Sequence, residues 1–165
     1  MPNQGAIGRF LAADHRRLEG LLATATAVPG RIDDGSYAEF RAGLLRHIGM
    51  EEKVLLPAAR RARGGDPLPA ARRLRLDHGA IAALLVPRPR PDIVAKLLAI
   101  LEPHDAIEEG PDGVYAACDS LLEADVHQIL DELQQFPPVR VAPHHDGPAV
   151  ERHIEETLAL AMAAW

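Results

Sequence analysis

Two six-residue stretches, HIGMEE at 47–52 and HDAIEE at 104–109, repeat the pattern His-x-x-x-Glu-Glu. Two others, DHRRLEGLL at 14–22 and DHGAIAALL at 77–85, share an Asp-His start. A step of four residues turns a helix by about 400°, so His47 and Glu51 stand nearly one above the other, as do His104 and Glu108. Each of His15, His47, His78 and His104 falls on the apolar stripe of its own segment. Ionisable groups on faces bound for a core are costly unless they find partners. Four imidazoles and two carboxylates are natural partners of metal ions. Imidazole suits iron, zinc, copper and nickel, and carboxylate adds a preference for harder ions. Two glutamates from opposite helix pairs can each bridge two ions about 3.5–4 Å apart. Each ion then takes two histidines and one oxygen from each glutamate, and a bridging oxide or hydroxide leaves a position for a small molecule. Structural zinc prefers closed, cysteine-containing tetrahedra, whereas Cys118 is the sole cysteine. Two non-heme iron ions fit best, with manganese or zinc as alternatives. The bland counterpart is a polar core in which the histidines merely pair with the glutamates.

Helices must position these groups. The first is expected over 5–27, with Ile7, Leu11, His15, Leu18 and Leu22 on one face. SYAE supplies a capping box, Ser36 at the N-cap and Glu39 three residues on, for a second helix reaching Arg63 with a kink at Pro57. GGDP stops that helix and starts the third, with Asp66 as N-cap and Pro67 at its first position. The third carries Ala71, Leu74, His78, Ile81 and Leu85 in line and ends at PRPRP. The fourth begins near Asp92 and aligns Ile93, Leu97, Ile100, His104 and Glu108. GPDG then marks a turn, after which VYAACDSLLEADVHQILDELQQF resumes a helical pattern, as the fourth helix after a break or as a fifth. PPVRVAPHHDGP reads as an extended linker before a short terminal helix. The predicted fold is all-α, an up-down-up-down four-helix bundle with an additional C-terminal helical segment. Residues 1–136 form the metal-binding bundle, and residues 137–165 form the linker and a helix packing on or beside it.

Bulk properties agree with a single folded unit. The chain has 165 residues, 47% of them hydrophobic, and a formal net charge of −6. Residues 1–90 carry 15 Lys/Arg against 9 Asp/Glu, and residues 91–165 carry 3 against 15. Such polarity could orient a head-to-tail contact, though solvated faces are its commoner source. An acidic whole without interleaved aromatics in RRARGGDPLPAARRLR argues against nucleic-acid binding. MPNQGAIGRF lacks the apolar core of a signal peptide, and no apolar run approaches the ~20 residues of a membrane span. The expectation is a cytoplasmic protein, monomer or homodimer, with no membrane partner and Cys118 as a small buried hydrophobe.

The doubled His-x-x-x-Glu-Glu with its two Asp-His motifs resembles the hemerythrin-like (HHE cation-binding) domains over roughly residues 5–122. The resemblance implies that His15, His47, Glu51, His78, His104 and Glu108 bind the metal directly. It also implies a non-heme diiron centre that binds dioxygen or related molecules, or senses oxygen, nitric oxide or iron. Oxygen-carrying members have a further histidine where this chain has Ala82. The ion near His78 should therefore be under-coordinated, which favours sensing, redox or peroxide chemistry over stable oxygen carriage. If the helix unwinds at GPDG, Glu108 gains the mobility of a gate; a harmless kink is the alternative.

Glu52 and Glu109 are expected to be solvated or paired with arginines. Asp14 and Asp77 either orient neighbouring imidazoles or act as local helix charges. His127 is expected at the surface, and Trp165 as a terminal packing anchor. His144, His145 and His153 with Asp146 are candidates for an accessory metal site. Tyr37 and Tyr115 have no helical spacing that makes them ligands. The leading function is a diiron module binding or sensing dioxygen, nitric oxide or peroxide. The alternatives are a diiron oxidoreductase or peroxidase-type enzyme, and a structural bundle without a functional metal.

Overall fold

The computed structural model describes residues 4–165. Residues 1–3, which begin both the expected bundle and the MPNQGAIGRF segment, lie outside it. The described residues form helices and no strand. They run α1 (Ala6–Ala25), α2 (Asp34–Met50), a π-helical turn (Glu51–Leu55), α3 (Leu56–Ala62), α4 (Ala71–Leu84) and α5 (Pro91–Glu109). Then come α6 (Val114–Leu121), a 3-10 turn (Glu123–Asp125), α7 (Val126–Gln134) and α8 (Pro148–Ala163). Short connections set α1, α2–α3, α4 and α5 side by side as an up-down four-helix bundle.

The stripes read from sequence bury as two apolar cores. Ile7, Leu11, Met50, Leu55 and Leu74 pack with Val114, Cys118, Ile129 and Leu133 at one end. Leu18, Leu22, Phe40, Leu44, Ile81, Leu84, Ile93 and Leu97 pack at the other. Each fully buried aliphatic side chain contributes roughly 1.5–3 kcal/mol. Along every bundle helix the histidine falls between these cores, so the polar groups form one layer with apolar packing above and below.

Several helix ends differ from the sequence reading. Asp33, not Ser36, caps α2, because its side chain accepts the Ser36 N–H over 2.9 Å and so takes the N-cap position three residues earlier. α4 starts at Ala71 without a side-chain cap, not at Asp66–Pro67. Pro69 disfavours helical backbone at Leu68, which keeps DPLP out of the helix. Near Pro57 the helix widens into the π turn instead of simply kinking. Pro57 has no N–H to offer, and the Leu56 N–H reaches back five residues to the Glu51 carbonyl. Pro103 lies inside α5 without ending it.

Beyond GPDG the chain forms two separate helices. Gly113 makes the reversal possible: a Cβ there would lie 2.5–2.9 Å from the carbonyl oxygens of Ile107, Glu108 and Gly110. α6 is then pinned to the start of α1, where Asp119 accepts the N–H groups of Ile7 (3.0 Å) and Gly8 (3.2 Å). The linker after α7 is docked rather than loose. Arg46 donates to the Phe136 carbonyl (2.7 Å), Arg41 to those of Leu85 (2.7 Å) and Ala142 (2.9 Å), and the His145 N–H to Val86 (3.0 Å). α8 packs along α4 and buries Ile154 and Ala161 in the second core. The charge asymmetry resolves partly within the chain, since Arg16, Arg88 and Arg90 pair with Glu109, Asp146 and Glu151.

Candidate metal centre

The structure brings His15, His47, Glu51, His78, His104 and Glu108 together in the polar layer, each at most 5% exposed. Their donor atoms form two overlapping groups, His15–His47–Glu51–Glu108 and Glu51–His78–His104–Glu108. Within each, the atoms lie within 4.8 Å of one another. Both glutamates belong to both groups, and the imidazoles sit as pairs, with centroids 4.4 Å apart for His15–His47 and 4.9 Å for His78–His104. The Nε2 atoms face the carboxylates: His15 to Glu108 at 3.4 Å, His47 to Glu51 at 3.4 Å, His78 to Glu51 at 3.2 Å and His104 to Glu108 at 3.0 Å.

Every Nδ1 faces outward onto a carboxylate of another helix or turn. Asp14 holds His47 (2.8 Å), Glu52 holds His78 (2.7 Å), Asp77 holds His104 (3.1 Å) and Glu109 holds His15 (2.6 Å). These contacts run from α1 to α2, from the π turn to α4, from α4 to α5, and from α5 back to α1, closing a ring around the bundle. In each the Nδ1–H donates to the outer carboxylate, which turns Nε2 inward, as metal-bound histidines require. Asp14 and Asp77 thus orient imidazoles, but on the next helix rather than the histidine beside them in sequence. Glu52 and Glu109 pair with arginines, Arg75 at 3.7 Å and Arg16, and they also anchor imidazoles, a role the sequence reading missed.

The charge balance suits a cation. Burial works against charge on His47, yet Glu51 and Asp14 outweigh it and hold its pKa up at about 10. Burial also opposes charge on His78, and Glu51 and Glu52 raise it to about 8. Glu51 lies well below the carboxylate range: desolvation pushes up, and His47 and His78 pull down harder. Without an ion, therefore, the layer compensates its carboxylates with protons. Even so, Glu51 Oε2, Glu108 Oε1 and His78 Nε2 are buried without a well-directed hydrogen bond, the imidazole–carboxylate approaches of 3.2 Å and 3.0 Å being poorly aligned. Such unsatisfied groups cost about 1–3 kcal/mol each, and all three belong to the second donor group. The donor groups present fit metal binding.

Two groups near the layer escaped the sequence reading. Tyr115 of α6, fully buried, directs its hydroxyl into the first donor group. No spacing along α5 could have revealed it, because its helix re-enters the bundle after a turn. Asp105, next to His104 in sequence, points the other way and lies 3.9 Å from His15 Nε2, and burial pushes its carboxyl up to about 6. Asp105 and His15 end an apolar cavity of about 420 Å³ between α1, α2 and α5, walled by Leu18, Leu22, Phe40, Leu44 and Leu101. The cavity approaches the polar layer from the His15 side.

Other expectations resolve simply. α5 ends at Glu109, so Glu108 sits in its last turn, fully buried beside His104 and Tyr115. The accessory site is not formed: Asp146 instead accepts the Arg88 N–H at 3.0 Å, and no third group of convergent donors occurs among the described residues. His127 is exposed. No described helix is long and apolar enough to cross a membrane.

Residues 7–86 match the family model described as the hemerythrin HHE cation binding domain. The match includes His15, His47, Glu51 and His78; His104 and Glu108 lie beyond it. No curated protein and no solved structure matches the chain.

Proposed function

We infer that the hemerythrin HHE cation-binding domain matched over residues 7–86 is completed by α5, and that the chain is a diiron protein binding or sensing a small molecule. The observation that carries this reading is the convergence of four inward Nε2 atoms on two shared glutamates, each of which keeps one buried oxygen without a directed hydrogen bond. His15 and His47 would hold one ion, His78 and His104 the other, and Glu51 and Glu108 would bridge them. Such a pair supplies reversible binding or reduction of dioxygen, nitric oxide or peroxide. The mixed nitrogen and carboxylate donors favour iron, with manganese or zinc as alternatives.

The protein's own contribution is arrangement and exclusion. The four outer carboxylates fix the imidazole planes, so the donors need no reorganisation when ions enter. The two apolar cores keep bulk water from the layer. The apolar cavity ending at His15 offers a path suited to a small uncharged molecule.

Anaerobic loading with ferrous iron, desalting and iron analysis test this reading. About two ions per chain are expected, falling sharply in Glu51→Ala and His104→Ala. Unchanged iron content in both variants would sink the assignment. An enzymatic reading gains one observation, the Asp105 carboxyl in the cavity wall beside His15. Sustained peroxide turnover by the loaded protein, lost in Asp105→Asn with iron retained, would favour it over binding alone.

A further inference from the structure

Tyr115 occupies a position that a space-filling residue does not need. Its Oη lies 2.7 Å from Glu51 Oε1, 3.2 Å from Glu108 Oε2, 3.2 Å from His15 Nε2 and 3.3 Å from His47 Nε2. These four residues are the first donor group. A phenol has one proton, so it can donate to Glu51 or to Glu108 but not to both. The oxygen therefore sits among more acceptors than it can serve. Separations of this size are those between neighbouring ligands around one ion. The second group, Glu51–His78–His104–Glu108, contains the orphaned atoms, and the hydroxyl makes no hydrogen bond to either of its histidines.

We propose that Tyr115 is a protein ligand, as phenolate, to the ion held by His15 and His47, and that the centre is consequently asymmetric. This rests on the metal-centre reading above. As the oxygen–metal bond forms, the phenol O–H bond breaks and its proton passes to solvent, with no change in the metal's oxidation state. Tyrosinate is an established iron ligand, and its negative charge favours the ferric form. The ion at His15 and His47 then has five protein donors and that at His78 and His104 has four, so the latter is the more open position. The GPDG reversal gains a purpose, because it turns α6 so that Tyr115 enters the layer from the bundle end.

The test uses the full chain loaded anaerobically with ferrous iron, desalted and oxidised with ferricyanide. Iron content, visible absorption and resonance Raman spectra are recorded for the wild type, Tyr115→Phe and Tyr37→Phe. The expected result is a phenolate-to-iron charge-transfer band with tyrosinate ring modes in the wild type and Tyr37→Phe. Tyr115→Phe should lose both while retaining iron. A wild type with about two irons per chain and no tyrosinate modes overturns the proposal and leaves the metal-centre reading standing. A band that survives in Tyr115→Phe overturns it equally. Failure of the wild type to take up iron overturns both. Should Tyr115→Phe not fold, the wild-type Raman spectrum decides together with Tyr37→Phe, since the chain has only two tyrosines.

Discussion

The indole of Trp165 donates its Nε1–H to Asp77 Oδ1 over 3.2 Å, and the other oxygen of the same carboxylate holds His104 Nδ1 at 3.1 Å. The last residue of the chain is thereby one hydrogen-bonded carboxylate away from a candidate ligand. Arg73 lies over the indole ring at 5.2 Å and covers its outer face. Since Trp165 is the only tryptophan, its emission reports on the site. Iron loading should quench it, and Trp165→Phe should bind iron but lose the signal. Full loading with unchanged emission would show that the indole does not sense the centre.

The ring of outer carboxylates should matter to affinity more than to stoichiometry. Asp14→Asn and Glu52→Gln keep the shape while weakening the hold on His47 and His78. Each should reduce metal affinity by roughly 10–100-fold in competition with a chelator. Affinities within a factor of about two of wild type would mean that packing alone orients the imidazoles.

Acidity should act oppositely on the metal-free and loaded proteins. His47 and His78 are raised from 6.5 to about 10 and about 8. A raised imidazole stabilises the fold fully below its unfolded value and loses that contribution as pH climbs through the folded value. Glu51, Glu52 and Glu109 are depressed below 4.5, so their contributions are present above 4.5 and disappear on acidification. Metal-free protein should therefore be most resistant to denaturant between these limits, about pH 4.5 to 6.5, and weaken toward pH 8. Metal binding must displace the imidazole protons, so apparent affinity should rise over the same interval. Parallel denaturation curves with and without iron check both slopes; a metal-free protein that gains stability from about pH 6.5 to 8 would contradict the first.

Gly113→Ala should be among the costlier surface-loop substitutions. Its Cβ meets three carbonyl oxygens at the end of α5. A loss of about 2 kcal/mol in chemical denaturation is expected, together with weaker α6 docking. A variant as stable as wild type would show that the reversal has slack.

The cavity predicts a rate effect separable from binding. Leu98 lies in the wall of two adjoining cavities and is 52% exposed, so it tolerates a larger side chain. Leu98→Trp should slow oxidation of the ferrous protein by dioxygen several-fold, about 1 kcal/mol in barrier, without altering iron content. An unchanged rate would place the access route elsewhere.

The sequence by itself determined the helices that bear the layer and the six residues on it. A helix repeats every 3.6 residues, and membership of a stripe is a local property that spacing reveals. The doubled motif made the pairing of helices legible as well. What only the tertiary structure decided are the relations between helices. Asp14 faces His47 rather than its neighbour His15, and Glu109 faces His15 across the bundle, because those contacts depend on the relative height and rotation of separate helices. Tyr115 enters the layer at an angle set by the Gly113 reversal and by Asp119 on the start of α1. The π turn at Glu51 likewise arises where a missing Pro57 N–H meets the packing of a buried helix. Periodicity says which side of a helix is buried; it cannot say what waits on the other side.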